Sequence, residues 1–268
     1  MHPVLFQLGP FVIPTYGAVA ALGVFLALAL AQFTAKRVNL DPRHAWNMLV
    51  LAIFAALAIS RLLLIVMNLS DLRRHPAWLL AVAMVHHPLL SAAGIVAGSA
   101  AVLAYIRWAK LPIRAVADCL AAPLSLGMAA EQLGALLAGS DYGREIEATS
   151  SATHLFVVYT NPLAARWSGA PLNVAVYPVQ VYAAIGALAV AVLTFAGLFY
   201  KRRQPGDIAG IWLIATGIVL FATELFRDWE GRGVFANALV DTPQLVALGM
   251  VLCGGLLLID WQPAHRTA

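Results

Sequence analysis

The chain has 268 residues, of which 62% are hydrophobic and 11% are charged, and its mean hydropathy is +0.82. A soluble domain is typically about half apolar and about a quarter charged, so this composition excludes an ordinary soluble domain and is typical of an integral membrane protein. The net charge of +4 does not favour nucleic-acid binding, because the basic residues fall in short groups between apolar segments.

Seven apolar segments along the chain are long enough to cross a membrane as helices. A spanning helix needs about 20 mainly apolar residues, because it covers about 30 Å at 1.5 Å per residue. The sequence therefore predicts an all-α integral membrane protein, a single domain over 1–268 with seven transmembrane helices. The predicted spans are 14–34, 45–68, 89–107, 114–138, 178–200, 207–227 and 242–260.

The basic residues predict how these helices are oriented. Lysine and arginine concentrate in cytoplasmic loops, and here alternate loops carry the denser groups, which places the N-terminus outside and the C-terminus in the cytoplasm. Because no lysine or arginine precedes the first apolar segment, we expect that segment to be retained and not cleaved as a signal peptide. The groups are Lys36, Arg37 and Arg43, then Arg107, Lys110 and Arg114, then Lys201, Arg202 and Arg203.

The start of the third span is left open by the sequence. The stretch 76–85 is also apolar and fits either an interfacial helix or part of that span. His86 and His87 precede Pro88, and no further ligand accompanies them at helical spacing, so we interpret them as a helix start and not a metal site. Within the span, Gly94 and Gly98 predict close helix packing.

A polar segment at 139–177 separates the fourth and fifth spans and is predicted to fold outside the membrane, on the periplasmic side. It begins with SDYGRE, at residues 140–145. The stretch THLFVVYT is β-prone, and YPVQVY is predicted to begin the next helix. A disordered linker would lack these apolar residues.

Single polar residues inside the apolar segments allow more than one interpretation. Arg61 either snorkels to the nearer interface or faces an anionic group inside the protein. Tyr16 fits an interfacial aromatic belt as well as a functional role. Asp118 lies near the start of the fourth span, where we expect it to cap the helix. Cys119 and Cys253 match no metal or redox spacing, and we predict that both are buried and inert.

A group of polar residues is predicted to meet at the outer ends of several spans. Ionised side chains at membrane depth are costly unless paired or hydrated, so their convergence favours a wet cleft open to the outer leaflet. Unrelated ion pairs at helix ends are the alternative, since Glu224 and Arg227 are three residues apart on one predicted helix. The predicted cluster comprises Tyr16, Glu131, Gln132, Asp141, Arg144, Glu224 and Arg227.

The order of these motifs resembles the bacterial prolipoprotein diacylglyceryl transferases over nearly the whole chain. FQLGPFVIPTYGAVAALG is similar to the opening of that family, and SRLLLIVMN resembles its Gly-Arg-Leu segment. ADCLAAPLSLGMAAEQLGALLAGSDYGR resembles its Asp-x-x-Ala-Pro helix and signature, and YPVQVY its His-Pro-x-Gln-x-Tyr motif. GDIAGIWLIATGIVLFATELFRD and DTPQL are similar to its last two spans.

The resemblance implies an enzyme of the bacterial inner membrane. It would transfer a diacylglyceryl group from phosphatidylglycerol to the lipobox cysteine thiol of a prolipoprotein, with membrane lipids as further partners and with no cofactor or metal. Arg61 and Arg227 would bind the phosphate or the headgroup, and Glu224 would take the thiol proton or orient an arginine. The implied catalytic residues are Glu224, Arg227 and Asp141. The implied substrate-binding residues are Tyr16, Arg61, Gln132, Gly143 and Arg144.

Several site positions depart from the family pattern. Gln132 stands where the family usually carries Arg, Leu220 replaces another Arg, and Tyr177 replaces the His of His-Pro-x-Gln. Each charge-assisted hydrogen bond contributes about 1.5 to 3 kcal/mol, so the lost arginines weaken a phosphate site. The hypotheses are a divergent active transferase with rearranged charges, a catalytically lapsed homologue that binds lipid or lipoprotein, and an unrelated seven-span transporter or receptor.

Overall fold

A computed structural model describes residues 2–8, 11–69, 88–146, 155–200, 202–227, 234–235 and 240–259. The stretch 76–85, His86 and His87 lie outside these described residues. The described residues form eight helices: α1 (Thr15–Arg37), α2 (Pro42–Met67), α3 (Pro88–Trp108), α4 (Ile113–Ala138), α5 (Pro162–Ser168), α6 (Val179–Tyr200), α7 (Asp207–Glu224) and α8 (Thr242–Leu258). They also form three antiparallel pairs of short strands: β1 (Val4–Leu8) with β2 (Phe11–Pro14), β3 (Val157–Val158) with β4 (Ala175–Val176), and β5 (Val234–Phe235) with β6 (Val240–Asp241).

Five of the described helices, α1, α2, α4, α6 and α7, are long and apolar enough to cross a membrane. Apolar helical stretches over Ala92–Trp108 and Thr242–Leu258 are shorter. Large apolar side chains point away from the bundle, as in Phe54 and Ile95, which are 67% and 70% exposed. Soluble proteins rarely expose so much contiguous apolar surface, and lipid would cover it in a membrane. The fold is therefore that of an all-α, multi-pass membrane protein.

Helix α4 lies at the centre of the bundle, where it packs against α1, α6 and α7. In an apolar stretch of 18 residues of α4, 56% of the residues are buried, whereas in the corresponding stretch of α2 only 6% are buried. Small residues permit the close approach: a Cβ on Gly23 of α1 would lie 2.4 Å from Cβ of Ala130 in α4. The predicted packing role of Gly98 is confirmed, because a Cβ there would lie 3.1 Å from the Ala52 carbonyl oxygen of α2.

The two cysteines differ in their surroundings. Cys119 is fully buried in α4, as predicted, and its carbonyl oxygen accepts a hydrogen bond from Thr34 Oγ1 of α1 at 2.8 Å. Cys253 of α8 is exposed, so the prediction that it is buried was wrong. An apolar sequence context fits a core and a lipid-facing surface equally well, which explains the error.

Asp118 caps a helix, but not the helix that carries it. It is 1% exposed in α4 and accepts hydrogen bonds from the backbone N–H groups of Gly206 and Ala209, each at 2.9 Å. These groups belong to the start of α7, where the first N–H groups have no partner within the helix. Arg202 Nε also donates to the carboxylate at 3.0 Å. The expected capping of α4 is therefore corrected to capping of α7.

The described parts of the 139–177 segment form a small folded element. Strands β3 and β4 pair as expected from the β-prone sequence, and the short helix α5 begins at an Asn161 side-chain cap. Buried Tyr159, Ala164 and Val176 form its core. The segment returns to the bundle at Val179, where YPVQVY begins α6 as predicted.

Candidate functional site

The SDYGRE segment leaves α4 and runs between the start of α6 and the end of α7. Gly139 ends α4 in the left-handed conformation, with φ of 83°, which favours glycine. The Gly143 N–H then donates to the Tyr177 carbonyl at 3.1 Å, and the Arg144 N–H donates to the Phe226 carbonyl at 2.9 Å. These backbone hydrogen bonds fix the segment against both helices.

The Gln180 side chain of YPVQVY also holds the SDYGRE segment in place. Its side chain is fully buried, and Nε2 donates to the Ser140 carbonyl at 2.6 Å and to the Tyr159 hydroxyl oxygen at 3.0 Å. Burial raises the pKa of Tyr159, so the phenol remains protonated near neutral pH. The role of Gln180 is not predicted above, although a glutamine in an apolar helix start is itself a signal of a buried polar contact.

Gly143 is required because the backbone approaches it from two sides. A Cβ at this position would lie 2.6 Å from the Tyr177 carbonyl oxygen and 2.7 Å from that of Phe226. We expect Gly143→Ala to lower the free energy of unfolding by about 1 to 3 kcal/mol or more, since overpacking displaces backbone. Thermal unfolding in detergent measures this. Gly249→Ala is the matched control, because nothing lies within 4 Å of that position, and equal melting temperatures for the two variants would contradict the prediction.

An ion pair occupies the end of α7. Glu224 is the last residue of the helix and is 2% exposed, whereas Arg227 follows in a turn, so the predicted continuation of this span to residue 227 was wrong. The Arg227 N–H donates to the Glu224 carbonyl at 3.1 Å, which closes the helix end. Arg227 Nε lies 3.4 Å from Glu224 Oε1, and Nη1 lies 3.6 Å from Asp141 Oδ1. The Asp141 side chain is 48% exposed, so Arg227 has one buried and one accessible carboxylate partner.

A second polar group joins α1 to α4. The Tyr16 hydroxyl donates to Glu131 Oε1 at 3.2 Å, and Gln132 Nε2 donates to Glu131 Oε2 at 2.6 Å. Tyr16 also packs closely on α4, where a Cβ on Gly134 would lie 3.3 Å from the Tyr16 carbonyl oxygen. Gln132 Oε1 is buried and accepts no hydrogen bond from the described residues. That oxygen is an acceptor for which a bound ligand could supply the donor.

The two polar groups lie at the same end of the bundle, which we call the Tyr16 end. Asp141 and Arg227 both lie within electrostatic range of the Glu131 carboxyl group, and Asp141 lies within range of the Tyr16 hydroxyl. Helices α1, α4 and α7 and the SDYGRE segment thus each contribute to one cluster. Its members are Tyr16, Glu131, Gln132, Asp141, Glu224 and Arg227.

Arg144 and Arg61 have different settings. Arg144 is exposed, and its guanidinium carbon lies 5.5 Å from the centre of the Tyr177 ring. Arg61 is partly exposed in α2, six residues before the helix ends at Met67. Helix α2 packs mainly against α1 and α3, whereas α7 packs against α4, α6 and α8. Arg61 and Glu224 therefore lie on helices that are not main packing partners.

An apolar groove of about 320 Å³ opens beside the ion pair, between α6 and α7. Thr223, which precedes Glu224 in the chain, and Phe226, which precedes Arg227, belong to its lining. The Phe226 ring is held between Tyr177 and Tyr182, with both ring centres 5.4 Å away. The remaining lining residues are Tyr182, Gly186, Val219 and Ala222.

Comparison with known proteins decides the family. A sequence model described as "Prolipoprotein diacylglyceryl transferase" matches residues 3–260. The chain belongs to this family. It is 25% identical over 256 residues to a phosphatidylglycerol–prolipoprotein diacylglyceryl transferase of Clostridium tetani, with 95% of each chain covered. It is 26% identical over 280 residues to the same-named protein of Pseudoalteromonas translucida, covering 100% of this chain and 96% of that one.

The family assignment bears on two residues at the Tyr16 end, Gln132 and Arg227. Gln132, where the resemblance implies an arginine, brings an amide whose nitrogen donates to Glu131 and whose oxygen is buried. The guanidinium that the geometry does supply is Arg227, which is 11% exposed at its side chain.

Proposed function

We propose that this chain transfers a diacylglyceryl group from phosphatidylglycerol to the lipobox cysteine thiol of a prolipoprotein. A thioether bond forms between the cysteine sulfur and the terminal glycerol carbon of the lipid. The bond between that carbon and the phosphate oxygen breaks, glycerol phosphate leaves with the electron pair, and the thiol proton passes to a base. The observation that carries the proposal is the Glu224–Arg227–Asp141 arrangement beside an apolar groove.

Arg227 is assigned to the phosphate. Displacing a phosphate ester from carbon needs a cation where negative charge develops on the leaving oxygen. Glu224 orients the guanidinium from the buried side, while the longer contact with the half-exposed Asp141 is one that a phosphate oxygen can replace. Asp141 thus keeps the cation paired until the lipid arrives.

Glu224 is assigned to the thiol proton. A cysteine thiol has a pKa near 8.5 and attacks efficiently only as the thiolate, so a nearby carboxylate that accepts the proton speeds the reaction. Glu224 ends α7 next to Thr223 of the groove lining, and we assign its carboxylate to a thiol that reaches the lipid's glycerol carbon from the groove.

Gln132 and Tyr16 are assigned to the lipid headgroup. The glycerol headgroup of phosphatidylglycerol carries two hydroxyl donors, and the buried Gln132 Oε1 is an acceptor for one of them. Tyr16 and Glu131 hold the Gln132 side chain through the shared carboxylate. Arg61 and Arg144 are assigned to more distant contacts with anionic lipid, and Gly143 to the backbone geometry that positions Asp141.

The apolar groove between α6 and α7 is assigned to an acyl chain of the donor lipid. It opens sideways from the bundle and is lined almost entirely by apolar and aromatic atoms. A lipid that stays partly in the bilayer would place its first methylenes there and bring its phosphate to Arg227, exchanging contacts with lipid tails for contacts with the groove lining.

A catalytically lapsed, lipid-binding homologue is the second candidate. It is favoured by the replacement of family arginines at Gln132 and Leu220, which leaves three carboxyl groups around Arg227. Expression in a bacterium depleted of its own transferase distinguishes the two. Restored lipid modification and growth support the transferase, whereas protein that reaches the membrane without restoring either supports the lapsed homologue.

We propose seven spans, with the Tyr16 end and the 139–177 insertion on the periplasmic side of the inner membrane. We expect a cysteine at exposed position 145, introduced as Glu145→Cys, to react with an impermeant thiol reagent added outside intact cells. Arg203→Cys, between α6 and α7, is the matched control that reacts only after the cytoplasmic side is opened. A Cys253→Ala background removes the exposed native thiol. The reverse labelling pattern would overturn the orientation.

A further inference from the structure

A line of polar contacts runs along the interface between α4 and α7. Near the start of α7, Asp118 accepts from Gly206 and Ala209. Further along, Trp212 Nε1 donates to Ser125 Oγ at 2.8 Å. The two helices are thus linked by hydrogen bonds at two levels, both of which lie outside the site.

The Asp118 contact contains the most hydrogen bonds. Its two carboxylate oxygens receive three donors, two of them backbone N–H groups and the third the guanidinium of Arg202. A carboxylate at a helix N-terminus is also stabilised by the helix dipole. Gly206 precedes α7 with φ of 107°, a conformation that favours glycine and turns its N–H toward Asp118. Two of the backbone N–H groups at the start of α7 are therefore held by this one side chain.

Because α7 is long, a small tilt at its start displaces Glu224 at its other end. Fifteen residues separate Ala209 from Glu224, which corresponds to about 22 Å at 1.5 Å per residue. A tilt of about 5° at the start of the helix would move Glu224 by about 2 Å, given that length. Misplacement of about 1 Å at a reacting group can lower a rate by about 100-fold.

We propose that Asp118 is a positioning residue: it fixes the start of α7 against α4 and thereby holds Glu224 and Arg227 in register with Glu131 at the opposite end. The positioning of a reactive set rests on the proposed transferase function. The link between the two helices does not, because it is a property of the fold and can be measured without activity.

The first test compares Asp118→Asn with Asp207→Asn in the full-length protein. Asparagine at 118 keeps the shape of the side chain but removes one acceptor and the charge. Asp207 is the matched control, because it also lies at the start of α7, yet it accepts from Arg203 and Gln204 of the preceding loop. We expect Asp118→Asn to lower kcat for diacylglyceryl transfer by about 10- to 100-fold with KM for the lipobox peptide changed little, and Asp207→Asn to leave both near wild type. Equal kcat values for the two variants would overturn the proposal.

The second test measures the distance between α4 and α7 at the Tyr16 end. Spin labels at exposed Leu133→Cys in α4 and Leu225→Cys after α7, in a Cys253→Ala background, report the distance between the helices at the Tyr16 end. We expect Asp118→Asn to shift or broaden that distance by about 2 Å, as the lever length implies, and Asp207→Asn to leave it unchanged. If wild-type protein showed no transfer but the shift occurred, the proposed function would fail and the positioning role would stand. An unchanged distance would overturn the positioning role.

Arg202→Gln keeps the proposal testable if Asp118→Asn does not fold. This change removes the guanidinium that donates to Asp118 Oδ2 at 3.0 Å and leaves the carboxylate in place. We expect a smaller shift in the spin-label distance and a decrease in kcat of less than about 10-fold, in the same direction as for Asp118→Asn. A wild-type distance and kcat in Arg202→Gln would overturn the proposal.

Discussion

Glu224→Gln is expected to abolish measurable diacylglyceryl transfer, with a decrease in kcat of at least about 100-fold, the scale on which a general base contributes. Glutamine has nearly the same shape as glutamate and keeps an oxygen facing Arg227, but it cannot take a proton from a thiol. The variant should therefore accumulate at normal abundance in the membrane. The measurement is the rate of peptide modification at saturating phosphatidylglycerol.

Glu145→Gln is the control for this prediction. Glu145 follows the SDYG sequence and is exposed, so its replacement removes a carboxylate near the site without touching the ion pair. We expect it to transfer within a few-fold of wild type. Wild-type transfer by Glu224→Gln would contradict the assigned role, and equal losses in both variants would show that the assay responds to general surface charge.

Arg227→Met has the second large expected effect, and it acts on stability as well as rate. Glu224 is 2% exposed, and removing the cation beside a buried carboxylate costs about 3 to 5 kcal/mol. Transfer should be lost because the phosphate loses its guanidinium, which contributes about 100- to 1,000-fold in comparable electrostatic sites. Thermal unfolding of the purified variant and its transfer rate separate the two effects.

The double variant Glu224→Gln and Arg227→Met decides whether this pair is structural or chemical. Replacing both members removes the buried, unpaired charge, so the melting temperature should recover much of what Arg227→Met loses. Activity should not recover, because neither the base nor the phosphate cation is present. A double variant that is stable and transfers at the wild-type rate would mean that the pair only neutralises itself.

Much of the architecture could be predicted from apolar length alone. A segment of about 20 apolar residues has one stable conformation in a membrane, because only a helix satisfies its own backbone hydrogen bonds. Antiparallel succession of such helices also fixes which ends lie together. This reasoning predicts that Tyr16, Glu131 and Glu224 lie at one end of the bundle. In the structure Tyr16 donates to Glu131, and Arg227, the ion-pair partner of Glu224, lies at the same end.

The pairings inside the bundle could not be predicted in this way. A buried aspartate such as Asp118 will find unpaired N–H groups, but helical periodicity does not tell which helix end supplies them. The role of Gln180 depends on a carbonyl forty residues earlier in the chain. Cys253 shows the other limit, because hydropathy does not distinguish a side chain that faces lipid from one that faces another helix.

The most direct test of the proposed function is transfer by the purified wild-type protein from phosphatidylglycerol to a lipobox peptide. The peptide's mass and the released glycerol phosphate are measured together. We predict that the peptide gains the mass of one diacylglyceryl group for each glycerol phosphate released, and that a peptide with its cysteine changed to serine gains none. Folded protein that binds phosphatidylglycerol vesicles but releases no glycerol phosphate and leaves the peptide mass unchanged would contradict the transferase and leave the lapsed, lipid-binding homologue.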